Sequence, residues 1–234
     1  FLAKRIACRY QVESHGIAVL HGRGGCAGTK TGQYERILIV GAEVHSTALD
    51  FTFSGRDVTV LFGDGAGAVV VGPAPEGHSG ILAHALHSEG KYAKELWTEY
   101  PASAHNPRVS HEAIDQGRHY PQMNGRMVFK HAITRMVEVS HEVLAKAGKS
   151  VAEVHLLLPH QANLRMLEAI VEKVGVPDGK VFVNVEEYGN MASACLPIAL
   201  DQARKQGKVK PGDLVVLVGS GVGYNYAGAA LRMP

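Results

Sequence analysis

The chain has 234 residues, of which 46% are apolar and 20% are charged, and its formal net charge is +2. This composition is ordinary for a globular protein that can bury a core, and so small a charge gives no argument for nucleic-acid binding. The sequence contains no uninterrupted apolar run of about 18 residues, so no membrane-spanning helix is predicted.

From Arg36 onward, short β-branched runs alternate with amphipathic stretches, which is typical of an α/β protein. The run at 37–41 is apolar throughout, and this favours a strand that is buried on both faces. We predict further strands at 68–71, 154–158, 181–183, 214–218 and 224–231, and helices at about 125–147, 163–174 and 192–205.

A glycine-rich motif, Gly63-Asp64-Gly65-Ala66-Gly67, lies between two apolar runs. A dinucleotide-binding fingerprint needs G-x-G-x-x-G between a strand and a helix, whereas here an apolar strand follows. The motif therefore favours a tight strand-to-strand turn over a phosphate loop, because no helix N-terminus is available to a phosphate.

Cysteine and histidine usage argues against a structural metal or a disulfide framework. The three cysteines, Cys8, Cys26 and Cys195, are too few and too scattered for either. Thirteen histidines are present, but the close pairs have no carboxylate or thiol at ligand spacing, so no metal site is predicted. The first residues carry charges and no apolar segment typical of a signal peptide, and with free thiols this predicts a cytoplasmic protein.

Two polar side chains follow predicted buried strands. His160 lies where the strand at 154–158 gives way to a helix, and Asn190 occupies a similar junction about thirty residues later. Reactive side chains in α/β folds lie beyond the carboxyl ends of strands, so these two can converge and donate hydrogen bonds to a developing enolate oxygen. The alternatives remain open: asparagine is also a good helix N-cap, and a histidine can simply satisfy a buried group.

A third candidate is Cys26, which lies between small residues that allow a second group to approach its sulfur. At a helix N-terminus the peptide dipoles would lower its pKa and favour the thiolate. Cys8 and Cys195 lie inside apolar helical patterns, where a cysteine usually behaves as a small hydrophobic residue. Cys26 is therefore the candidate nucleophile.

The chain resembles β-ketoacyl-acyl-carrier-protein synthase III, a thiolase-fold condensing enzyme, from about Gly24 to its end. The segments that carry the resemblance are LFGDGAGA at 61–68, HSEG at 87–90, MNGRMVFK at 123–130, LPHQANLR at 158–165 and YGN at 188–190. The joint match of the last two is specific, whereas GDGAGA alone is a weak signal. The resemblance implies a layered α/β/α/β/α thiolase fold, with the remainder of an N-terminal half at 1–120 and a complete C-terminal half at 121–234.

The resemblance implies a catalytic triad of Cys26, His160 and Asn190. Cys26 would take an acyl group from acyl-coenzyme A (acyl-CoA), and the other two would hold the thioester carbonyl of malonyl-acyl-carrier protein while carbon dioxide leaves. The resulting carbanion would attack the acyl-cysteine, in the initiation of fatty-acid synthesis. Decarboxylation supplies the carbanion without a strong base, so neutral donors suffice, and the resemblance implies no cofactor and no metal.

The resemblance also implies an oxyanion hole for acyl transfer. It would be formed by the backbone N–H of Cys26 and one glycine of the closing turn, Gly221 or Gly223. The segment GSGVGYNYAG at 219–228 differs from the family's usual glycine-rich turn, so the choice between the two glycines stays open.

Five further positions match substrate-binding positions of the family. Gly125, Phe129 and Asn163 match residues that line the pantetheine tunnel. Arg56 and Arg165 match arginines that meet coenzyme A phosphates or the carrier protein. Guanidinium groups suit phosphates well, although solvated surface arginines are the alternative interpretation.

The chain also departs from the family in length. The resemblance implies that first strands and helices of the fold are absent before Phe1, and that about three turns of helix, roughly eleven residues, are absent after Cys26. We interpret the sequence as part of a longer protein, because loss of that helix would remove a core element beneath the nucleophile.

Family members are homodimers that pair through the strand leading away from the nucleophile's helix, here near 37–45. An edge strand as apolar as this one is poorly suited to exposure, although burial within one subunit would explain its composition equally.

Two other functions remain open. A related enzyme would condense acyl-CoA molecules or make a polyketide or quinolone-type product, and a non-catalytic thiolase-fold partner would bind thioesters or a ketosynthase.

Overall fold

The computed structural model describes residues 34–74 and 80–234, so the predictions for Cys8 and Cys26 lie outside the described residues. The strands are β1 (Ile37–Glu43), β2 (Gly65–Val71), β3 (Ile81–Ser88), β4 (Leu96–Trp97), β5 (Gln122–Met123), β6 (Leu156–Pro159), β7 (Leu214–Gly221) and β8 (Asn225–Arg232). The α-helices are α1 (Arg56–Thr59), α2 (His111–Asp115), α3 (Gly125–Lys146), α4 (Leu164–Val174), α5 (Val185–Tyr188) and α6 (Cys195–Lys205). Short 3₁₀ helices span Phe53–Gly55, Gly90–Glu95, Val151–Glu153, Ala192–Ala194 and Val222–Tyr224. Within these ranges, no helix combines the length and apolarity needed to cross a membrane.

A four-stranded sheet in the order β3-β8-β7-β6 forms the centre of the fold. The pair β6 and β7 is parallel and the other two pairs are antiparallel. A parallel pair requires a long crossover connection, and here the crossover carries α4, α5 and α6. This sheet includes β3 from the predicted N-terminal half, so its hydrogen bonds cross the division predicted near residue 120.

Helices cover both faces of this sheet, which explains the continuous apolar runs in its strands. On one face, α3 and α4 pack against Leu157 of β6 and Val216 of β7. On the other face, α6 packs against Leu158 and Val215. Neighbouring residues along a strand point to opposite faces, so a strand that is buried on both sides is apolar at every position.

A two-stranded antiparallel sheet, β1 and β2, packs on the far side of α6. The described residues thus form four successive layers: the helices α3 and α4, the four-stranded sheet, α6 and the two-stranded sheet. This is the order predicted for a thiolase-like α/β/α/β/α fold, up to its last helical layer.

Three details of the prediction are wrong. The strand at 37–43 is buried on one face only, because Leu38 and Val40 are 66% and 60% exposed and no described layer lies over them. Gly65 and Gly67 belong to β2 itself, since the ladder to β1 begins at Gly65. The segment 181–183 forms a single bridge, between Val181 and Leu157, because only one residue aligns with β6.

Candidate active site

A cavity of about 290 Å³ opens between the N-terminal end of α3 and the carboxyl ends of β6 and β7. Its lining includes both polar residues that the sequence singled out, His160 and Asn190. The remaining walls are mainly apolar, with Leu96, Met123 and Met166 among them. This cavity is where the parallel strands of the central sheet end, as expected for an α/β protein.

His160 follows β6 directly and is only 5% exposed. Its backbone N–H donates to the carbonyl oxygen of Val218 in β7 at 2.8 Å, which continues the parallel ladder by one residue. Its own carbonyl accepts from the N–H of Ala162 at 2.9 Å, in a tight turn before α4. The imidazole is therefore carried by backbone that is fixed on both sides.

Gln161 holds the two site loops together, a role that the sequence did not reveal. Its amide Nε2 donates to the carbonyl oxygens of Pro159 (2.8 Å) and Phe182 (3.1 Å), and its Oε1 accepts from the N–H of Asn184 (2.9 Å). The side chain is fully buried, so these three bonds use polar groups that would otherwise be costly to bury. The available signal was an amide next to a histidine at the end of a buried strand.

Asn190 is positioned by the segment that precedes β2. Its N–H donates to the carbonyl of Leu61 at 2.8 Å, and its carbonyl accepts from the N–H of Gly63 at 3.0 Å. Only glycine fits at position 63, because a Cβ there would lie 2.0 Å from the carbonyl oxygen of Tyr188. The LFGDGAGA motif therefore serves as a backbone cradle for Asn190.

The orientation of the Asn190 amide follows from its neighbour Ala192. The backbone N–H of Ala192 is a donor and lies 2.9 Å from Oδ1, so this position must carry the oxygen. The Nδ2 group is then the one that can donate to a ligand. Ala192 adopts φ = 44°, a left-handed conformation that costs about 1–3 kcal/mol in a residue other than glycine. Such strain persists only where the surrounding structure imposes it.

The predicted substrate-binding residues divide into two groups. Gly125, Phe129 and Asn163 line the cavity together with His160. Asn163 also caps α4, because its Oδ1 accepts from the N–H of Met166 at 2.9 Å. The capping interpretation therefore applies to Asn163, and it coexists with a place in the cavity wall.

Neither predicted arginine lines the cavity, although each is next in sequence to a residue that does. Arg56 precedes the cavity-lining Asp57, and its guanidinium carbon lies 3.7 Å from the centre of the Phe53 ring. Arg165 is an exposed residue in the first turn of α4, two residues after Asn163.

The two candidate oxyanion-hole glycines lie close together in the chain. Gly221 ends β7 and lines the cavity, and Gly223 lies in the 3₁₀ helix that follows, at φ = 76°. The connection between β7 and β8 is therefore a short turn, in which Gly223 has a left-handed backbone.

An ion pair supports the cavity wall on the side of α3. Arg135 donates two hydrogen bonds of 2.7 Å to the carboxylate of Glu89, in the HSEG segment. These bonds hold the pKa of Glu89 below its usual value. The phenol of Tyr224 also contributes to this wall, and burial raises its pKa to about 12, so it stays protonated at neutral pH.

Cys195 lies near Asn190 but is not suited to act as a nucleophile. It is fully buried at the start of α6, and its sulfur accepts a hydrogen bond from the N–H of Met191 at 3.2 Å. Burial raises the pKa of the Cys195 thiol to about 12, so the thiolate is scarce at neutral pH. The interpretation of Cys195 as a small hydrophobic residue agrees with this environment.

Two family models match the chain, and each includes residues that line the cavity. Residues 23–90 match the model described as 3-oxoacyl-[acyl-carrier-protein (ACP)] synthase III. Residues 144–233 match the model for the C-terminal part of the same enzyme. The two matches contain Asn190, His160 and the LFGDGAGA cradle.

Similar proteins carry the same name. The chain is 40% identical over 200 residues to β-ketoacyl-[acyl-carrier-protein] synthase III of Syntrophomonas wolfei, covering 86% of this chain and 59% of that protein. The structure of 3-oxoacyl-[acyl-carrier-protein] synthase III from Aquifex aeolicus VF5 matches with a TM-score of 0.82 and 38% identity, over 95% of this chain and 66% of that one. The corresponding structure from Pseudomonas aeruginosa PAO1 gives 0.83 and 32%, over 96% and 67%. The chain thus spans about three-fifths of the length of the curated relative and has the thiolase-like fold of these structures. It belongs to the β-ketoacyl-acyl-carrier-protein synthase III family.

Proposed function

We propose that the protein is an acyltransferase that joins an acyl-CoA to malonyl-acyl-carrier protein with loss of carbon dioxide. The product would be a β-ketoacyl-carrier protein, formed at the initiation of fatty-acid synthesis. The observation that carries the proposal is the common cavity of His160 and Asn190. Both side chains are mostly buried there, and Asn190 has its oxygen occupied and its Nδ2 donor available.

In the first half-reaction, the thiolate of Cys26 attacks the acyl-CoA carbonyl. A carbon–sulfur bond to Cys26 forms, the bond to coenzyme A breaks, and the departing coenzyme A thiolate takes up the proton that the Cys26 thiol gave up. The backbone N–H of Cys26, together with that of Gly221 or Gly223, would stabilise the tetrahedral oxyanion. The position of Gly221 in the cavity wall supports its candidacy.

In the second half-reaction, malonyl-carrier protein loses carbon dioxide and leaves an enolate on its thioester. Asn190 Nδ2 and the His160 imidazole would donate hydrogen bonds to that oxygen. Preorganised donors in a dry cavity act strongly at the point where charge develops, without reorganisation during the reaction. The carbanion then attacks the acyl-cysteine, a carbon–carbon bond forms, and Cys26 leaves as the thiolate.

The cavity has mainly apolar walls with a few polar groups, which suits a substrate arm that is partly apolar and partly polar. The pantetheine arm would be bordered by Gly125, Phe129 and Asn163. Phosphates of coenzyme A, or acidic groups of the carrier protein, would be bound by Arg56 and Arg165. No cofactor takes part in either half-reaction as proposed.

We also propose a cytoplasmic location, since scattered cysteines with Cys195 as a buried free thiol suit a reducing compartment.

A two-stage assay of the whole protein tests this function. We expect incubation with a panel of acyl-CoA chains to add one acyl mass to the protein, and malonyl-carrier protein then to release carbon dioxide and a β-ketoacyl-carrier protein. Condensation only with a CoA-bound second substrate would favour the related enzyme that condenses acyl-CoA molecules. Absence of an acyl-protein with every chain would favour the non-catalytic partner and would contradict the proposal.

We further propose that the protein is a homodimer that pairs through the edge of β1. Leu38 and Val40 expose large apolar side chains on one face of this strand, and Val70 of β2 extends the patch. Among the described ranges, only β2 pairs with β1, which leaves one edge of β1 without a described neighbour. The free edge of β1 offers backbone N–H and C=O groups to a second copy, and such pairing would partly cover the apolar face beside it.

Light scattering at micromolar concentration tests the dimer. We expect a mass near twice that of one polypeptide, and we expect Val40→Lys to reduce it to one, because a charge in an apolar interface is costly to bury. Ile114→Lys is the matched control, since Ile114 is an exposed apolar residue on α2, away from β1. A wild-type mass equal to that of one polypeptide would contradict the proposed dimer.

A further inference from the structure

Glu43 is a partly buried acid that lies outside the cavity lining and faces the turn after Asn190. Its Oε1 accepts a 2.6 Å hydrogen bond from the hydroxyl of Ser193 and a longer one, 3.4 Å, from the N–H of the same residue. Only 16% of its side chain is exposed, and its second oxygen lies 4.0 Å from Nε2 of His45. A carboxylate with two donors from one residue is well suited to fix that residue in place.

The strand that carries Glu43 is pressed against the same turn. A Cβ at Gly41 would lie 2.5 Å from the carbonyl oxygen of Ser193, so only glycine allows β1 to approach this closely. The close backbone and the carboxylate two residues later hold Ser193 at two points. The two-stranded sheet therefore determines where the backbone at Ser193 lies.

Ser193 is joined to the catalytic amide through one residue. Ala192 lies between them, in the left-handed conformation described above, and its N–H holds the side-chain oxygen of Asn190 at 2.9 Å. A strained alanine would relax toward an ordinary conformation if its neighbour were released, and that change would move the N–H away from Asn190. The contacts therefore form a chain from Glu43 through Ser193 and Ala192 to Asn190.

We propose that Glu43 is a positioning residue that orients the Asn190 amide for condensation. This inference rests on the proposed function, since it concerns the step in which Asn190 donates to the enolate. Glu43 touches no substrate; it keeps Nδ2 directed into the cavity by holding the turn that binds Oδ1. Loss of Glu43 then affects the second half-reaction and leaves acyl transfer to Cys26 largely unchanged.

Separate measurement of the two half-reactions tests this role. In Glu43→Ala we expect kcat for condensation to fall by about 10- to 100-fold, less than the ~10²–10³ typical for deleting an oxyanion donor outright. We expect KM to change little, because the lost interaction acts in the transition state, and acyl-protein formation to stay within about twofold of wild type. Glu43→Gln keeps a carbonyl that accepts from Ser193 and is expected to restore most of the activity.

Two further variants complete the test. Ser193→Ala removes the 2.6 Å bond alone and is expected to give a smaller fall, confined to condensation. If Glu43→Ala does not fold, Ser193→Ala tests the positioning role by itself. Glu168→Ala is the matched control, since Glu168 is an exposed acid on α4. The inference is overturned if condensation is unchanged in Ser193→Ala and Glu43→Ala, or if acylation and condensation fall together. Failure of the proposed function is a different result, because the wild-type protein itself would then form no β-keto product.

Discussion

Replacing Cys26 by alanine is expected to abolish acyl transfer from acyl-CoA and to leave the fold intact. A methyl group offers no electron pair to the acyl carbonyl, and loss of a catalytic nucleophile typically costs about 10⁶ in rate. Intact-mass measurement after incubation with acyl-CoA reads this directly, because the wild-type protein gains one acyl group and the variant gains none. A thermal melt near that of wild type would show that only chemistry was lost.

Cys195→Ala is the matched control for this experiment. Cys195 is fully buried and burial raises its pKa to about 12, so we expect it to take no part in acyl transfer. The control protein is expected to form the acyl adduct at the wild-type rate. Acyl-protein formation that survives in Cys26→Ala would show that another residue is the nucleophile, and Cys8 would be examined next.

Substitution of either proposed enolate donor is expected to affect condensation far more than acylation. For His160→Ala and Asn190→Ala we expect condensation to fall by ~10²–10³, the usual cost of removing one oxyanion donor. Asn190→Asp is the sharper variant, because a carboxylate keeps an acceptor for Ala192 but presents a negative charge to the enolate. Stopped reactions that separate the acyl-protein from the β-keto product measure the two steps.

His155→Ala serves as the control for His160. His155 lies just before the opposite end of β6, with its ring half exposed beside Asp213. Its removal is expected to leave both half-reactions unchanged. If His160→Ala slows acylation and condensation equally, the imidazole activates Cys26 rather than holding the enolate.

Local patterns predicted the elements that are buried on both sides or strongly amphipathic. The helix at α3 has its buried residues three or four positions apart, including Met136, Val139 and Val143, and both of its ends agree with the prediction. The strands β6 and β7 were predictable because helices cover both of their faces. Composition alone did not distinguish β1 from them, since the same apolar run has one face exposed to solvent in the described residues.

The candidate site was predictable in its residue types but not in its supporting contacts. His160 and Asn190 stood out because each follows a predicted buried strand. The contact of Leu61 and Gly63 with Asn190 joins residues more than a hundred positions apart, and the same holds for Glu43 and Ser193. No periodicity or spacing reports such pairs, because they depend on how separate layers meet. The role of Cys26 stays a prediction.

The Gln161 side chain links the two backbone segments that carry His160 and Asn190. Backbone contacts therefore set the spacing of these two side chains. Gln161 ties the loop that carries His160 to the 182–184 segment that leads to Asn190, through three hydrogen bonds in a fully buried position. Under the proposed function, a thioester that enters the cavity would meet two donors that are already spaced, and neither loop would have to lose conformational freedom when it binds. Other walls of the cavity belong to separate elements, including Leu96 and Tyr224. Residues in those walls can therefore change in size without altering the spacing of His160 and Asn190.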